Sequence, residues 1–138
     1  MSVHFNQQGI MRNYFGAFLA IMFATQAAHA QSTTASYYAD KFNGRKTANG
    51  ETFSNRGMTC ASNQYKLGAY VEVTNQKNGK SIICKVNDRI GKAGRIDLTK
   101  NGFSQLAPLS QGLVKVTVKP VQKNQPKQEE QISLAYNE

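Results

Sequence analysis

Apolar and polar residues alternate through Tyr70-Val71-Glu72-Val73-Thr74, and the alternation resumes, broken by Ile83, through Ser81-Ile82-Ile83-Cys84-Lys85-Val86. A period of two puts one face of each segment against a core, and Asn78-Gly79 between them is a turn signal, so the two predict a β-hairpin. Leu113-Val114-Lys115-Val116-Thr117-Val118 alternates in the same way and predicts a closing strand. Arg95-Ile96-Asp97-Leu98 and Ala35-Ser36-Tyr37-Tyr38 are shorter strand candidates. Thr99 can cap a brief helix running through Phe103 and Leu106, which Pro108 helps to end. Between Asp40 and Thr59, Gly44, Gly50 and Gly57 with Asn43, Asn49 and Asn55 favour loop over any long helix. About five or six short strands with one or two small helices fit a compact closed β-barrel, because closure hides the edges that so small an open sheet would expose.

The amino-terminal pattern differs. Arg12 precedes an apolar run, Phe15 to Ala28, broken only by Gly16, Thr25 and Gln26, and Ala28-His29-Ala30 is a small-x-small cleavage site. This predicts an export signal over residues 1–30, and a start at Met11 would make it more compact. The run falls short of the roughly 20 residues that span a bilayer. The first cysteine is Cys60, so the cut at Ala30 exposes no lipid-accepting cysteine. The expected product is soluble, periplasmic or secreted, without a membrane anchor, and monomeric. Its expected parts are a flexible terminus over 31–34, a barrel over 35–121, and a disordered polar tail over 122–138 with too little apolar residue to fold.

Composition narrows the chemistry. The 138 residues include 17 Lys and Arg against 8 Asp and Glu, a net charge of +9, and 2 His. Both histidines, His4 and His29, lie in the segment expected to be removed, which excludes a Ser-His-Asp triad, a Cys-His dyad and a His-ligated zinc centre. With no phosphate-cradling glycine motif and no metal-ligand cluster, neither cofactor nor metal is expected, and carboxylates must carry any chemistry. In an oxidising compartment Cys60 and Cys84 are expected to pair, closing a loop worth roughly 3 kcal/mol on the chain-entropy model. Basic charge interleaved with tyrosines suits nucleic acid on composition alone. Export points instead to anionic polymers of the cell wall, and nucleic acid is not an expected partner.

Several blocks in order resemble the rare lipoprotein A family. They are Ala35-Ser36-Tyr37-Tyr38, Gly44-Arg45-Lys46-Thr47-Ala48-Asn49-Gly50-Glu51-Thr52-Phe53, Leu67-Gly68, Val71 to Asn75, Asn78 to Ser81, Val86-Asn87-Asp88-Arg89 and Gly94 to Thr99. The resemblance implies a mainly β, six-stranded double-psi β-barrel of the kind shared with expansins. It also implies lytic transglycosylase activity on the glycan strands of peptidoglycan. In that reaction an acid protonates the oxygen between N-acetylmuramic acid and N-acetylglucosamine, and the muramoyl C6 hydroxyl attacks C1 to leave a 1,6-anhydro end. One carboxyl group can serve as acid and then as base.

By the same resemblance Asp88 falls on the family's catalytic aspartate and Glu51 on its second functional carboxylate. Asn87 and Arg89 would orient Asp88 or hold substrate, and Tyr37, Tyr38 and Tyr65 could stack on sugar rings. The family's active-site histidine aligns with Ser62, a candidate for substrate contact. Asn43 stands where the family often has histidine, and Ile90-Gly91 replaces the Gly-Pro that commonly follows Asn-Asp-Arg. Asp97 is expected to be structural, Glu72 a surface charge and Asp40 a turn residue. The alternative to an enzyme is a non-catalytic wall-binding or wall-loosening module like expansin.

Overall fold

The computed structural model describes residues 29–121. The tail 122–138 and all of the expected export signal except its last two residues lie outside them. Six strands close into a barrel: β1 (Gln31–Tyr37), β2 (Thr59–Ala61), β3 (Tyr70–Asn75), β4 (Ser81–Asp88), β5 (Arg95–Leu98) and β6 (Val114–Pro120). Around the barrel the order is β1-β5-β2-β4-β3-β6, and β6 pairs back onto β1. Two neighbouring pairs are parallel, β1 with β5 and β2 with β4, and the other four are antiparallel.

The alternation that predicts β3 and β6 is the alternation of their burial. Val71 and Val73 of β3, and Val114, Val116 and Val118 of β6, point inward to meet Ile82, Cys84 and Val86 of β4 and Ile96 and Leu98 of β5. The expected hairpin joins β3 to β4, with Gly79 at φ 74°, a left-handed conformation that costs glycine little.

A helix, α1 (Lys100–Leu106), closes one end by burying Phe103 and Leu106 against the core. Its cap is the expected Thr99, whose Oγ1 accepts from the Gly102 N–H at 3.0 Å and donates to the Gly57 carbonyl at 2.7 Å. Thr99 is fully buried, so Thr99→Ala would strand a donor and an acceptor together. We expect it to lower stability by about 1–2 kcal/mol, read by urea unfolding.

Two boundaries depart from the pattern. Gln31–Thr34, expected to be a loose terminus, form the first half of β1, where Gln31↔Val118 through Thr34↔Lys115 pair with β6. Their polarity suits the place, because backbone pairing rather than side-chain burial holds them. Cys60 lies inside β2, a three-residue strand held between β4 and β5 where the sequence pattern marks none. It is bonded to Cys84 of β4 as expected, with Cα atoms 5.9 Å apart.

Candidate functional site

The site begins with an irregularity in the parallel pair β2 and β4. Thr59 pairs with Lys85 and Cys60 with Val86, but Ala61 pairs with Asp88, so Asn87 is an extra residue in β4. Such a bulge inverts the facing of every side chain beyond it. In unbroken register Asp88 would follow Cys84 and Val86 into the apolar core. The bulge turns it outward, onto the face covered by the long loop between β1 and β2.

There its carboxylate is held by three donors. The Ala48 and Arg89 backbone N–H groups both reach Oδ1 at 2.9 Å, and the Tyr38 hydroxyl reaches Oδ2 at 2.7 Å. Tyr38 packs against Phe53, ring centroids 4.3 Å apart, and edge-on to Phe42 at 5.7 Å. Burial, and then the hydrogen bond to Asp88, hold its phenol far above the ordinary tyrosine value, so it remains a neutral donor.

These groups line an open groove of about 400 Å³. Tyr38, Phe42 and Phe53 supply its aromatic surface, and Arg45, Lys46 and Arg89 its cations. A second carboxylate, Asp97, lies in the same groove. Asp97 accepts from the Ser36 hydroxyl at 3.1 Å. Burial raises its pKa and the charge of Asp88 raises it further, while Ser36 and Arg95 oppose the shift.

Glu51 does not line the groove. Its carboxylate is ion-paired with Lys85 at 2.7 Å and accepts from the Asn49 side chain, contacts that hold its pKa below the usual glutamate value, the Lys85 bond most of all. Its backbone tightens a turn: Thr47 N–H donates to the Glu51 carbonyl at 2.8 Å, and Glu51 N–H to Asn49 Oδ1 at 3.1 Å. That turn carries Ala48, whose N–H binds Asp88, so Glu51 positions the site without entering it.

A depressed carboxylate pKa contributes stability above the ordinary glutamate value and loses it as pH falls through the folded value. Glu51 is 40% exposed, so screening keeps the contribution small. Glu51→Gln should cost less than about 1 kcal/mol at neutral pH and nothing in strong acid, as urea unfolding at the two pH values would show.

The other expected site residues are scattered. Of the adjacent tyrosines only Tyr38 faces the groove. Tyr37 points the other way, edge-on to Phe103 with centroids 4.8 Å apart and its hydroxyl on the Leu109 carbonyl at 2.9 Å, so it is not free to stack on a sugar. Asn87 is the bulge residue and is 2% exposed. Ser62 is also 2% exposed, its Oγ accepting from Gln64 N–H at 3.1 Å. With Tyr65 it lines a separate small cavity of about 70 Å³. Arg89 borders the groove, yet its Nη1 ties down the carbonyls of Ser62 at 2.6 Å and Tyr65 at 2.7 Å. Asp40, expected in a turn, begins a short 3-10 turn and pairs with Lys100 at 2.7 Å, while Glu72 pairs with Lys119 at 3.3 Å.

The sequence did hold a signal for Asp97: it alternates with Ile96 and Leu98, which are buried, so its side chain must leave the barrel. Among the described residues no group of three or more His, Cys, Asp or Glu could hold a metal ion, and no helix is long and apolar enough to cross a membrane.

Comparison with known proteins bears on this groove. The profile of a family described as lytic transglycolase matches residues 30–118. An endolytic peptidoglycan transglycosylase RlpA from Neisseria meningitidis is 38% identical over 97 residues, covering 69% of this chain and 41% of that protein. The protein of that name from Pseudomonas aeruginosa is 57% identical over 56 residues, 41% of this chain and 16% of its own. The chain thus spans well under half the length of either relative.

Among solved structures, a Streptomyces papain inhibitor superposes with a TM-score of 0.57 at 28% identity, covering 68% of this chain and 96% of that one. The expansin of Clavibacter michiganensis does so with a TM-score of 0.56 at 19% identity, covering 70% and 52%. The second likeness is one of fold alone.

Proposed function

Because the chain belongs to the lytic transglycolase family of double-psi β-barrels, we propose that it is a peptidoglycan lytic transglycosylase that cleaves glycan strands in the groove beside Asp88. The bond cut would be that between N-acetylmuramic acid and N-acetylglucosamine, leaving 1,6-anhydro ends. The observation that carries this reading is a carboxylate fixed by three donors in an open groove with aromatic and cationic walls. Aromatic faces suit the apolar faces of sugar rings. Cations suit a polymer that carries carboxylates. The reaction needs one group to protonate the bridging oxygen and one to take the proton of the attacking C6 hydroxyl, and carboxyl groups can do both.

By this reading the protein meets its substrate in the periplasm or outside the cell, delivered by the segment over residues 1–30, and acts as a monomer through the barrel. Tyr38 and the ring of Phe42 would hold the sugar, with Phe53 packed behind Tyr38, in place of the expected Tyr37.

Incubating the pure protein with glycan strands and resolving the products by mass spectrometry tests the proposal, with new anhydro ends as the expected outcome. Sedimentation with intact sacculi, without any such ends, would establish the wall-binding module instead.

A further inference from the structure

We propose, on the basis of the transglycosylase reading, that Asp97 is the proton donor to the glycosidic oxygen and Asp88 the base, the two facing each other across Ala61 on one rung of the barrel. The rung is set by register. Ser36 pairs with Asp97, Asp97 with Ala61, and Ala61 with Asp88, so four neighbouring strands present these residues in a row. Strands lie about 4.8 Å apart, which puts the two aspartate backbones roughly 10 Å from each other. Cys60 and Leu98 are a buried pair in the core, so the next pair, Ala61 and Asp97, faces the opposite way, and the Asn87 bulge brings Asp88 to that same face. Ala61 between them is buried and carries only a methyl group, and the two carboxylates line the same groove.

The two carboxylates are built for different work. Asp88 is met only by donors, and two of them are backbone N–H groups that can do nothing but donate. Its oxygens are therefore placed to accept, as a base must. Asp97 has one neutral partner, the Ser36 hydroxyl, which can donate or accept and so tolerates the carboxyl group in either state. Burial, first, and the negative charge of Asp88 favour the protonated form of Asp97, while the Ser36 hydrogen bond and Arg95 on its own strand oppose them. The groove cations Arg45, Lys46 and Arg89 also face this space, and Tyr38 faces it as a neutral phenol. A carboxyl group whose surroundings favour its acid form, beside a carboxylate held only by donors, is the pattern of a paired acid and base.

The step balances without water or cofactor. The proton of Asp97 passes to the glycosidic oxygen as the bond to C1 breaks, and the bonding electron pair stays with that oxygen as a hydroxyl of the released sugar. The C6 oxygen bonds to C1 and yields its proton to Asp88. Exchange with solvent then returns Asp97 to its acid form and Asp88 to its base form.

Carbon NMR of the labelled carboxyl groups in the intact protein, together with cleavage by Asp97→Asn and Asp97→Glu, tests the assignment. Asp97 should titrate above the ordinary aspartate range, and its midpoint should fall in Asp88→Asn, where the neighbouring charge is gone. Asp97→Asn should lose at least about 10²-fold in kcat while keeping the parent's amide spectrum. Asp97→Glu should keep part of the activity, with the alkaline limb of its pH profile displaced. Parent-level cleavage by Asp97→Asn, or an Asp97 that titrates as an ordinary aspartate in a parent that cleaves, overturns the assignment alone. A parent that makes no anhydro ends removes the transglycosylase reading, and this proton donor with it.

Discussion

Asp88→Asn is expected to lower kcat on glycan strands by about 10²- to 10⁴-fold, the range that one positioned acid-base group contributes. The fold should survive. An asparagine can turn its carbonyl oxygen to the Ala48 and Arg89 N–H groups and its amide to Tyr38, whose hydroxyl then accepts in place of donating. What the amide lacks is a site that takes up the proton of the C6 hydroxyl. Thermal unfolding close to the parent's and retained binding to glycan strands would therefore accompany the loss of turnover. Glu51→Gln should be much the milder change, because the Glu51 carboxylate works on Asn49 and Lys85 rather than in the groove.

Removing the disulfide carries the second large effect, on stability. Cys60 and Cys84 are both within 1% of full burial and join β2 to its parallel neighbour β4. Cys60→Ala with Cys84→Ala, alanines being chosen to avoid burying an unpaired hydroxyl, should lower unfolding stability by about 2–4 kcal/mol. The consequence is local as well. β2 is three residues long, and it carries Ala61, while the following Ser62 N–H holds the Asp88 carbonyl at 3.1 Å. Urea unfolding of parent and double variant reads the loss, and a difference below about 1 kcal/mol would mean that the ladders alone fix β2.

What the sequence made legible follows from how each element is held. β3 and β6 bury every second side chain, and their alternation marks them in the chain. Thr99 is legible as a cap because its chemistry is local. β2 is not, since three residues show no period and their place depends on β4 and β5. The polar start of β1 is hidden for a similar reason: its contribution is backbone pairing to β6.

In the site, the resemblance named Asp88, yet nothing in Val86-Asn87-Asp88 announces the bulge that turns it out of the core. Tyr37 and Tyr38 look equivalent side by side, but Tyr37 ends β1 and Tyr38 continues its extended course, so the two face opposite ways and only one reaches the groove. Asp97 could be placed outside the barrel from its buried neighbours. That this outside face is roofed by the loop carrying Phe42, Ala48 and Phe53 depends on contacts far along the chain. Ser62, expected to take the place of the family's histidine, is buried, with the Arg89 guanidinium on its carbonyl.

The proposed cleavage uses the substrate's own hydroxyl in place of water, at a groove organised by Asp88. Digestion of glycan strands in heavy-oxygen water, by parent and Asp88→Asn side by side, tests it most directly. Mass spectrometry should find anhydro ends free of the heavy isotope with the parent and almost none with Asp88→Asn. New reducing ends carrying the isotope, or anhydro ends formed equally well by Asp88→Asn, would contradict it.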